Sequence, residues 1–251
     1  MSKRVFSPYE KNILTKNHFD LNDPRLQTDI PVEYLVGKAE FRGNDFFVTK
    51  DTLIPRIETE QLVDLALDNI IKNFPPDKKI IIADLCTGSG CIGVSLALEL
   101  LKKNMNFHIY LSDISPNALQ VAKKNFEHLL PSHQELATFI ESDIFASFPE
   151  NINIDLVVTN PPYIPSQRIR ALDNSVKDYE PIIALDGGVD GLSLINKIIS
   201  QLPKIQNNKV NAILEIDEKH DLKDIKKSEG LNPSLIKDSF GKNRFLSLLF
   251  L

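Results

Sequence analysis

The sequence is poor in cysteine, contains no tryptophan and lacks a long uninterrupted hydrophobic run. Only two cysteines, Cys86 and Cys91, occur in its 251 residues. A close pair without a histidine cluster around it excludes a disulfide framework and a zinc site, so we expect no bound metal. The most apolar stretch, residues 80–101, is interrupted by acidic residues and glycines, which excludes a membrane span.

The charge balance is slightly acidic and argues against one broad class of proteins. The sequence has 29 Lys and Arg residues against 34 Asp and Glu residues, a net charge of −5. This balance excludes a generally basic nucleic-acid coat, although it leaves room for a local basic patch. The first residues are positively charged, but no apolar segment follows them as in a signal peptide. Together with the low cysteine content, this predicts a cytoplasmic protein.

Strand-like and helix-like segments alternate along most of the chain. Continuous apolar runs are typical of strands in a parallel sheet covered on both faces, and apolar residues three and four apart are typical of helices. The alternation predicts a doubly wound α/β sheet. We expect strands at residues 79–85, 108–111, 138–140, 154–158 and 210–216, and a final strand pair at 233–238 and 244–250. We expect helices at residues 59–74, 92–101, 116–126 and 192–202, and a long polar loop at residues 160–190.

The part of the chain before this sheet has a different character. Residues 1–30 are polar with weak periodicity, and they predict one short helix followed by an extended arm. Two β-like runs, Glu33–Leu35 and Phe46–Val48, flank the turn sequence Arg42-Gly43-Asn44. Because a Gly-Asn pair favours a tight turn, residues 31–54 predict a small β-hairpin.

A glycine-containing turn follows the first strand of the sheet and opens its first helix. It runs from Asp84 to Gly90, and Gly88, Gly90 and Gly93 match a G-x-G-x-x-G pattern. Glycines let a ligand approach the backbone, and the helix presents free N–H groups to it. Asp113, at the end of the second strand, supplies a carboxylate that accepts hydrogen bonds from ribose hydroxyls. The set predicts a cofactor that contains a nucleoside, either a nicotinamide dinucleotide or S-adenosylmethionine; a turn that only packs the helix on the strand is the simpler alternative.

The tetrapeptide Asn160-Pro161-Pro162-Tyr163 directly follows the fourth strand. The side-chain carbonyl of Asn160 and the backbone carbonyl of Pro161 can accept the two hydrogens of an amide or amine nitrogen. Proline fixes φ and lacks an N–H, so the turn holds these carbonyls rigidly. They orient the nitrogen toward an electrophile and stabilise the positive charge that develops on it. Tyr163 offers a flat face to a planar amide or base; a Pro-Pro turn without a functional role is the alternative.

Six sequence blocks resemble, in order and spacing, the S-adenosylmethionine-dependent glutamine methyltransferases that modify peptide chain release factors. The blocks are PVEYLVGKAEF (31–41), LIPRIETEQLV (53–63), DLCTGSGCIG (84–93), SDISPNAL (112–119), NPPYIPS (160–166) and YEPIIALDGGVDGL (179–192). The resemblance implies a Rossmann-like class I methyltransferase domain with a seven-stranded, mostly parallel sheet at residues 55–251. It also implies a β-hairpin linker at residues 31–54 and a shortened substrate-recognition segment at residues 1–30.

The resemblance also implies roles for individual residues. The methionine end of the cofactor would lie over the turn from Cys86 to Gly90, where the family usually has glycine in place of Cys86. Asp143 and Ile144 would flank the adenine, and Thr59 would close over the cofactor. The implied cofactor-binding residues are Cys86, Thr87, Gly88, Ser89, Gly90, Asp113, Asp143, Ile144 and Asn160. The implied catalytic residues are Asn160 and Pro161, and Asn160, Pro161, Pro162 and Tyr163 would hold the glutamine of the release factor's Gly-Gly-Gln motif.

Other functions remain open at this point. The same Asn-Pro-Pro-Tyr turn can hold the exocyclic amine of an adenine flipped out of a nucleic acid, and a ribosomal-protein glutamine methyltransferase is a nearer alternative. A dehydrogenase would need hydride-transfer residues, for which the sequence offers no candidates, and a scaffold would bind a partner without turnover. We expect a release factor as the protein partner, no direct binding of nucleic acid or membrane, and a monomer.

Overall fold

The computed structural model describes residues 4–20, 22–205, 211–226, 228 and 230–250. Within these ranges the protein consists of a helical N-terminal segment, a two-stranded hairpin and a seven-stranded sheet flanked by helices. None of the helices described is long and apolar enough to cross a membrane. The same ranges contain no group of three His, Cys, Asp or Glu side chains placed to hold a metal ion.

The N-terminal segment is more helical than its weak periodicity predicts. Helix α1 (Pro8–Lys16) begins with a capping box, in which the Ser7 side chain and the Glu10 side chain each accept a backbone N–H of the other residue. A short 3-10 turn at Pro24–Gln27 and helix α2 (Val32–Val36) follow. These elements share an apolar cluster of their own, formed by Ile13, Leu14, Leu26 and Val32.

The predicted hairpin is present, but its first strand was placed wrongly. Strand β1 (Lys38–Phe41) pairs antiparallel with β2 (Asn44–Phe47). Glu33–Leu35, expected to be a strand, lies inside α2, because apolar side chains of that segment, three and four positions apart, pack on the α1 cluster. The two residues between the strands, Arg42 and Gly43, both have positive φ, as a tight hairpin turn requires.

The central sheet has seven strands within the described residues, as predicted. They are β3 (Ile80–Leu85), β4 (Phe107–Asp113), β5 (Ala137–Glu141), β6 (Leu156–Thr159), β7 (Asn211–Glu215), β8 (Leu231–Lys237) and β9 (Asn243–Phe250). Their spatial order is β5-β4-β3-β6-β7-β9-β8. Strands β3 to β7 are parallel, whereas β9 is antiparallel to its neighbours β7 and β8. Val210, predicted to begin β7, lies outside the described residues.

Helices cover both faces of this sheet, which explains why its strands are continuously apolar. The helices after the hairpin are α3 (Ile57–Asn73), α4 (Cys91–Lys102), α5 (Pro116–Leu129), α6 (Ser166–Ile169), α7 (Asn174–Lys177) and α8 (Ser193–Gln201). Helices α3, α4 and α5 pack on one face and α8 on the other. The predicted cap of α5 is confirmed, since the Ser115 hydroxyl accepts the Ala118 N–H at 3.2 Å.

The strand order reverses at β3, and this places the ligand-binding crevice. Strand β4 lies on one side of β3 and β6 on the other. In open α/β sheets, ligands bind outside the carboxyl ends of the strands at such a switch point. The segment after β6, predicted as a long polar loop, folds over this crevice and contains the short helices α6 and α7.

Candidate active site

A cavity of about 680 Å³ lies at the carboxyl ends of β3, β4 and β6. The glycine turn, the ends of these strands, the segment that leads into α3 and the loop before α8 all contribute to its wall. The sequence-predicted residues that line it are Cys86, Thr87, Gly88, Ser89, Asp113, Asp143, Ile144, Asn160 and Pro162. Three other predicted residues, Gly90, Pro161 and Tyr163, are in the same segments but outside the described lining.

The buried carboxylate of Asp84 holds the glycine turn in place through hydrogen bonds. One oxygen of Asp84, Oδ2, accepts the Thr87 hydroxyl at 2.6 Å and the Gly93 N–H at 2.9 Å. Its other oxygen has no hydrogen-bond partner among the described residues. Burial raises the pKa of Asp84 to about 7. Asp84 therefore ties the two ends of the turn to each other and fixes its shape.

Gly90 has a packing role at the start of α4. Its φ is +80°, and a Cβ built there would lie 3.1 Å from the Cβ of Ala122 in α5. A side chain would therefore be strained by the backbone and would press on α5. Glycine lets α4 begin close to α5, directly behind the cavity wall.

Asp113 is the carboxylate at the end of β4. Its Oδ2 accepts the Gly88 N–H and its Oδ1 accepts the Ser115 N–H, both at 2.9 Å. Burial raises the pKa of Asp113. A carboxylate has about four lone-pair sites, so each oxygen keeps one for a donor in the cavity. Two vicinal hydroxyls, as in a ribose, match that capacity.

Two further lining residues have an unusual backbone. Cys86 and Ile144 have φ of 53° and 58°, in the left-handed region that side chains rarely adopt. Burial raises the pKa of the Cys86 thiol, which favours the unreactive protonated form. Next to Ile144, the Asp143 carboxylate forms an ion pair with Lys197 at 2.5 Å, and both side chains are half-exposed.

Asn160 is anchored by a chain of hydrogen bonds that ends on a buried glutamate. The Asn160 Nδ2 group donates to the Thr59 hydroxyl oxygen at 3.2 Å. The Thr59 hydroxyl donates to Oε2 of Glu215 at 2.7 Å, and the Tyr163 hydroxyl donates to Oε1 at 2.9 Å. Pro161 is buried and Tyr163 packs against the apolar cluster beneath α8. Tyr163 thus contributes its hydroxyl to the support of the site.

An ion pair joins the loop after β6 to the segment that leads into α3. The Arg56 guanidinium contacts Glu180, whose side chain is almost fully buried. Glu180 also accepts the Ile54 N–H at 3.4 Å. Burial raises the pKa of Glu180, and Arg56 opposes that shift. These contacts hold two walls of the cavity against each other. The cavity entrance is apolar, because the exposed side chains of Ile114, Ile182 and Ile183 line it.

Sequence patterns located most of the cavity wall but missed the roles of Arg56 in that wall and of Glu215 behind it. Arg56 lies within the block at residues 53–63, but neither residue belongs to a motif whose spacing indicates its contacts. Thr59 was expected to close over the cofactor; it does line the cavity, and its hydrogen bonds are to Asn160 and Glu215. An acidic residue at the end of an apolar strand, as Glu215 ends β7, was the one available signal.

Residues 57–176 match the family model of the methyltransferase small domain. A relative from Bacillus subtilis named release factor glutamine methyltransferase is 35% identical over 93% of this chain and 79% of its own length. A relative of the same name from Clostridium acetobutylicum is 40% identical over 88% of this chain and 74% of its own length. Another, from Bacillus anthracis, is 40% identical over 74% of this chain, and the match spans 63% of that relative.

Solved structures with low sequence identity share the fold. The catalytic domain of hMettl16, in complex with the MAT2A 3'UTR hairpin 1, has a TM-score of 0.62 at 13% identity and covers 100% of this chain and 95% of its own. A human methyltransferase 10 domain containing protein has a TM-score of 0.54 at 16% identity, and the match covers 83% of this chain and 88% of its own. At this level of identity the similarity establishes the architecture alone.

Proposed function

This chain belongs to the release factor glutamine methyltransferase family, and we propose that it transfers a methyl group from S-adenosylmethionine to the side-chain amide nitrogen of a glutamine in a peptide chain release factor. The glutamine is that of the Gly-Gly-Gln motif. The observation that carries the proposal is the position of Asn160. Its amide lies on the wall of the same cavity as Asp113 and the glycine turn. A cofactor site and an acceptor for amide hydrogens are therefore adjacent.

The residues present fit S-adenosylmethionine. A cavity of about 680 Å³ has the size of a cofactor site. Asp113 has lone pairs left for the ribose hydroxyls, and the turn from Cys86 to Ser89 would hold the methionine end. Asp143 and Ile144 would hold the adenine. When bound, the cofactor supplies an electrophilic methyl group on a sulfonium, which leaves as a neutral thioether.

The protein's own contribution is to hold the glutamine amide. Asn160 Oδ1 would accept one hydrogen of the amide nitrogen, and the Pro161 carbonyl would accept the other. These contacts would aim the nitrogen at the methyl group of the cofactor, and they would stabilise the positive charge that develops on the nitrogen during transfer. The methylated amide would then pass one of its two hydrogens to water as a proton, so the step needs no strong base.

The charges around the cavity favour a protein substrate over a nucleic acid. Of the described lining residues, Arg56 and Lys197 are the cations, and each is already paired with an acidic side chain. A nucleic-acid methyltransferase needs free cations for the phosphates. The apolar entrance instead suits a peptide loop that presents one glutamine.

We propose that the molecule divides into a recognition segment at residues 1–30, a linker at 31–54 and a methyltransferase domain at 55–251. The apolar cluster around Leu14 and Leu26 supports an N-terminal unit with its own core, and through Val32 this core extends past residue 30 into α2. We also propose a cytoplasmic monomer that binds no nucleic acid directly.

Transfer of labelled methyl from S-adenosylmethionine tests the proposal. The acceptors are a purified release factor, its variant with alanine for the motif glutamine, an adenine-containing oligonucleotide and purified ribosomal proteins. We expect label on the unmodified release factor alone. Label on the glutamine-free variant, the oligonucleotide or a ribosomal protein would contradict the proposed acceptor.

The Asn160→Ala variant tests the assigned role of the amide. We expect turnover to fall by about 100-fold or more, as when one donor is removed from an oxyanion hole, while cofactor affinity stays within about 3-fold. A variant that methylated the release factor at the normal rate would show that Asn160 does not hold the substrate.

A further inference from the structure

The asparagine amide has two chemically opposite ends, and only one of them is useful toward the substrate. Oxygen Oδ1 can accept a hydrogen from a glutamine amide, whereas the Nδ2 group can only donate. An Asn160 side chain rotated by half a turn would present two N–H hydrogens to the N–H hydrogens of the substrate. Catalysis as proposed above therefore depends on a feature that fixes the orientation of this amide.

Thr59 supplies that feature because its single hydroxyl hydrogen is already used in another hydrogen bond. The hydroxyl donates to Oε2 of Glu215 at 2.7 Å. Toward Asn160, at 3.2 Å, the Thr59 oxygen can then only accept. An accepting neighbour requires the Nδ2 end of Asn160, so Oδ1 is left for the substrate.

The other end of the chain, Glu215, is a carboxylate that accepts on both oxygens. Thr59 donates to one and the Tyr163 hydroxyl to the other. Thr59 and Glu215 are each 1% exposed, so the hydrogen bond between them is shielded from bulk solvent. The positive charge of Arg244 in β9 stabilises the Glu215 carboxylate, and the negative charge of Glu58 in α3 destabilises it. Burial raises the pKa of Glu215, whereas the hydrogen bonds from Thr59 and Tyr163 oppose that rise and favour the carboxylate.

We propose that Glu215, acting through Thr59, is a positioning residue that fixes the Asn160 amide with its oxygen toward the substrate. This rests on the proposed function, because it assigns the support for the same amide. Neither Glu215 nor Thr59 acts on the reacting atoms. The two residues set which end of Asn160 is presented, and Tyr163 holds the carboxylate in place.

The matched variants are Thr59→Val, which removes the hydroxyl at constant shape, and Thr59→Ser, which keeps it. In Thr59→Val we expect kcat on the release factor to fall about 10- to 100-fold, because loss of orientation costs less than loss of a catalytic group. The Kd for S-adenosylmethionine should change by less than about 3-fold, since the cofactor contacts remain. Thr59→Ser should restore kcat to within about 3-fold, because its hydroxyl can make both hydrogen bonds.

Glu215→Gln tests the far end of the chain. An amide at this position can donate to the Thr59 oxygen, which frees the Thr59 hydrogen for Oδ1 of Asn160 and favours the rotated orientation. We expect a loss of kcat similar to that in Thr59→Val. The control is Thr138→Val, which removes a hydroxyl hydrogen-bonded to His108 at 2.9 Å, away from the cavity lining. The control should keep full kcat.

A combined variant separates positioning from general structural support. If Thr59 acts through Asn160, then Thr59→Val should cause no further loss of kcat in an Asn160→Ala background, because the two effects are not independent. Additive losses would overturn the proposal. So would a Thr59→Val variant with normal kcat, or a Thr59→Ser variant as impaired as Thr59→Val.

A readout without catalysis keeps the orientation testable even if release factors are not the substrate. In ¹⁵N–¹H spectra, the Asn160 side-chain amide is identified as the signal pair lost in Asn160→Ala. We expect one of its hydrogens to be protected from solvent exchange in the unmodified protein and in Thr59→Ser, and unprotected in Thr59→Val. Unchanged protection in Thr59→Val would refute the positioning role. Absence of methyl transfer to a release factor would refute the proposed function alone.

Discussion

Replacing Asp113 with asparagine should disable the cofactor site as fully as removing the side chain. The two oxygens of Asp113 accept different backbone N–H groups, from Gly88 and from Ser115, each at 2.9 Å. An asparagine has one accepting oxygen. Whichever way it turns, its NH₂ group faces a backbone N–H, and two donors then oppose each other. An exchange that looks conservative is therefore disruptive at this position.

The size of the effect follows from the bonds lost. A hydrogen bond to a charged group contributes about 1.5–3 kcal/mol, and asparagine loses one such bond to the turn and the charged acceptor for the ribose. If cofactor binding loses about 2 kcal/mol of this hydrogen-bond free energy, the Kd for S-adenosylmethionine rises roughly 30-fold. Isothermal titration calorimetry on the purified Asp113→Asn and Asp113→Ala variants measures it, with circular dichroism to verify folding.

Asp45→Asn provides the matched control. The Asp45 carboxylate in β2 pairs with the half-exposed Lys16 at 2.8 Å, away from the described cavity lining. Exposed pairs contribute about 0–1 kcal/mol, so Kd should change by less than about 5-fold. The reasoning is wrong if Asp113→Asn binds the cofactor as the unmodified protein does, or if Asp45→Asn is the more damaging of the two.

Three further predictions concern the walls of the site. Arg56→Met leaves the buried Glu180 carboxylate unpaired and should lower the free energy of unfolding, measured in urea, by about 2–3 kcal/mol. Glu180→Gln removes the charge itself and should lower it by about 1 kcal/mol. Equal losses in the two variants would contradict the buried ion pair. Gly90→Ala should lose about 2 kcal/mol from positive φ and the contact with Ala122, and a neutral result by thermal denaturation would contradict both. The raised pKa of Asp84, about 7, means that its contribution is fully present below about pH 4 and is lost as pH rises through about 7. Asp84→Asn should therefore flatten the decline of unfolding free energy between about pH 4 and 7, and an unchanged pH profile would argue against the assigned pKa.

The elements predicted best are those specified by local chemistry. The Ser115 side chain and the proline after it predicted the start of α5, because a hydroxyl cap and a fixed φ act within a few residues. Glu33–Leu35 was predicted wrongly for the opposite reason. Its conformation depends on apolar contacts with α1, which lies about twenty residues earlier, and an apolar pattern this short does not distinguish a helix from a strand.

The same distinction separates the cavity wall from its support. The glycine turn and Asp113 could be placed together because the carboxyl ends of parallel strands always meet at one edge of the sheet. The partners of Asn160 and Glu215 follow from no such rule. Thr59 is 101 residues from Asn160 and 156 from Glu215 in the sequence, and it meets them only because α3 packs near the ends of β6 and β7. Contacts set by tertiary packing of this kind leave no periodic signal.

The backbone of the cavity wall contains two residues in a conformation that the surrounding structure must enforce. Cys86 and Ile144 both have left-handed φ, and Ile144 is β-branched, for which this conformation is a genuine outlier. Such conformations cost about 1–3 kcal/mol each and persist only where the surrounding structure enforces them. Around Cys86 the Asp84 hydrogen bonds to Thr87 and Gly93 supply that constraint. The turn is therefore held by contacts within the protein itself, so we expect the loss of a ligand contact made by Asp113 to appear mainly in Kd.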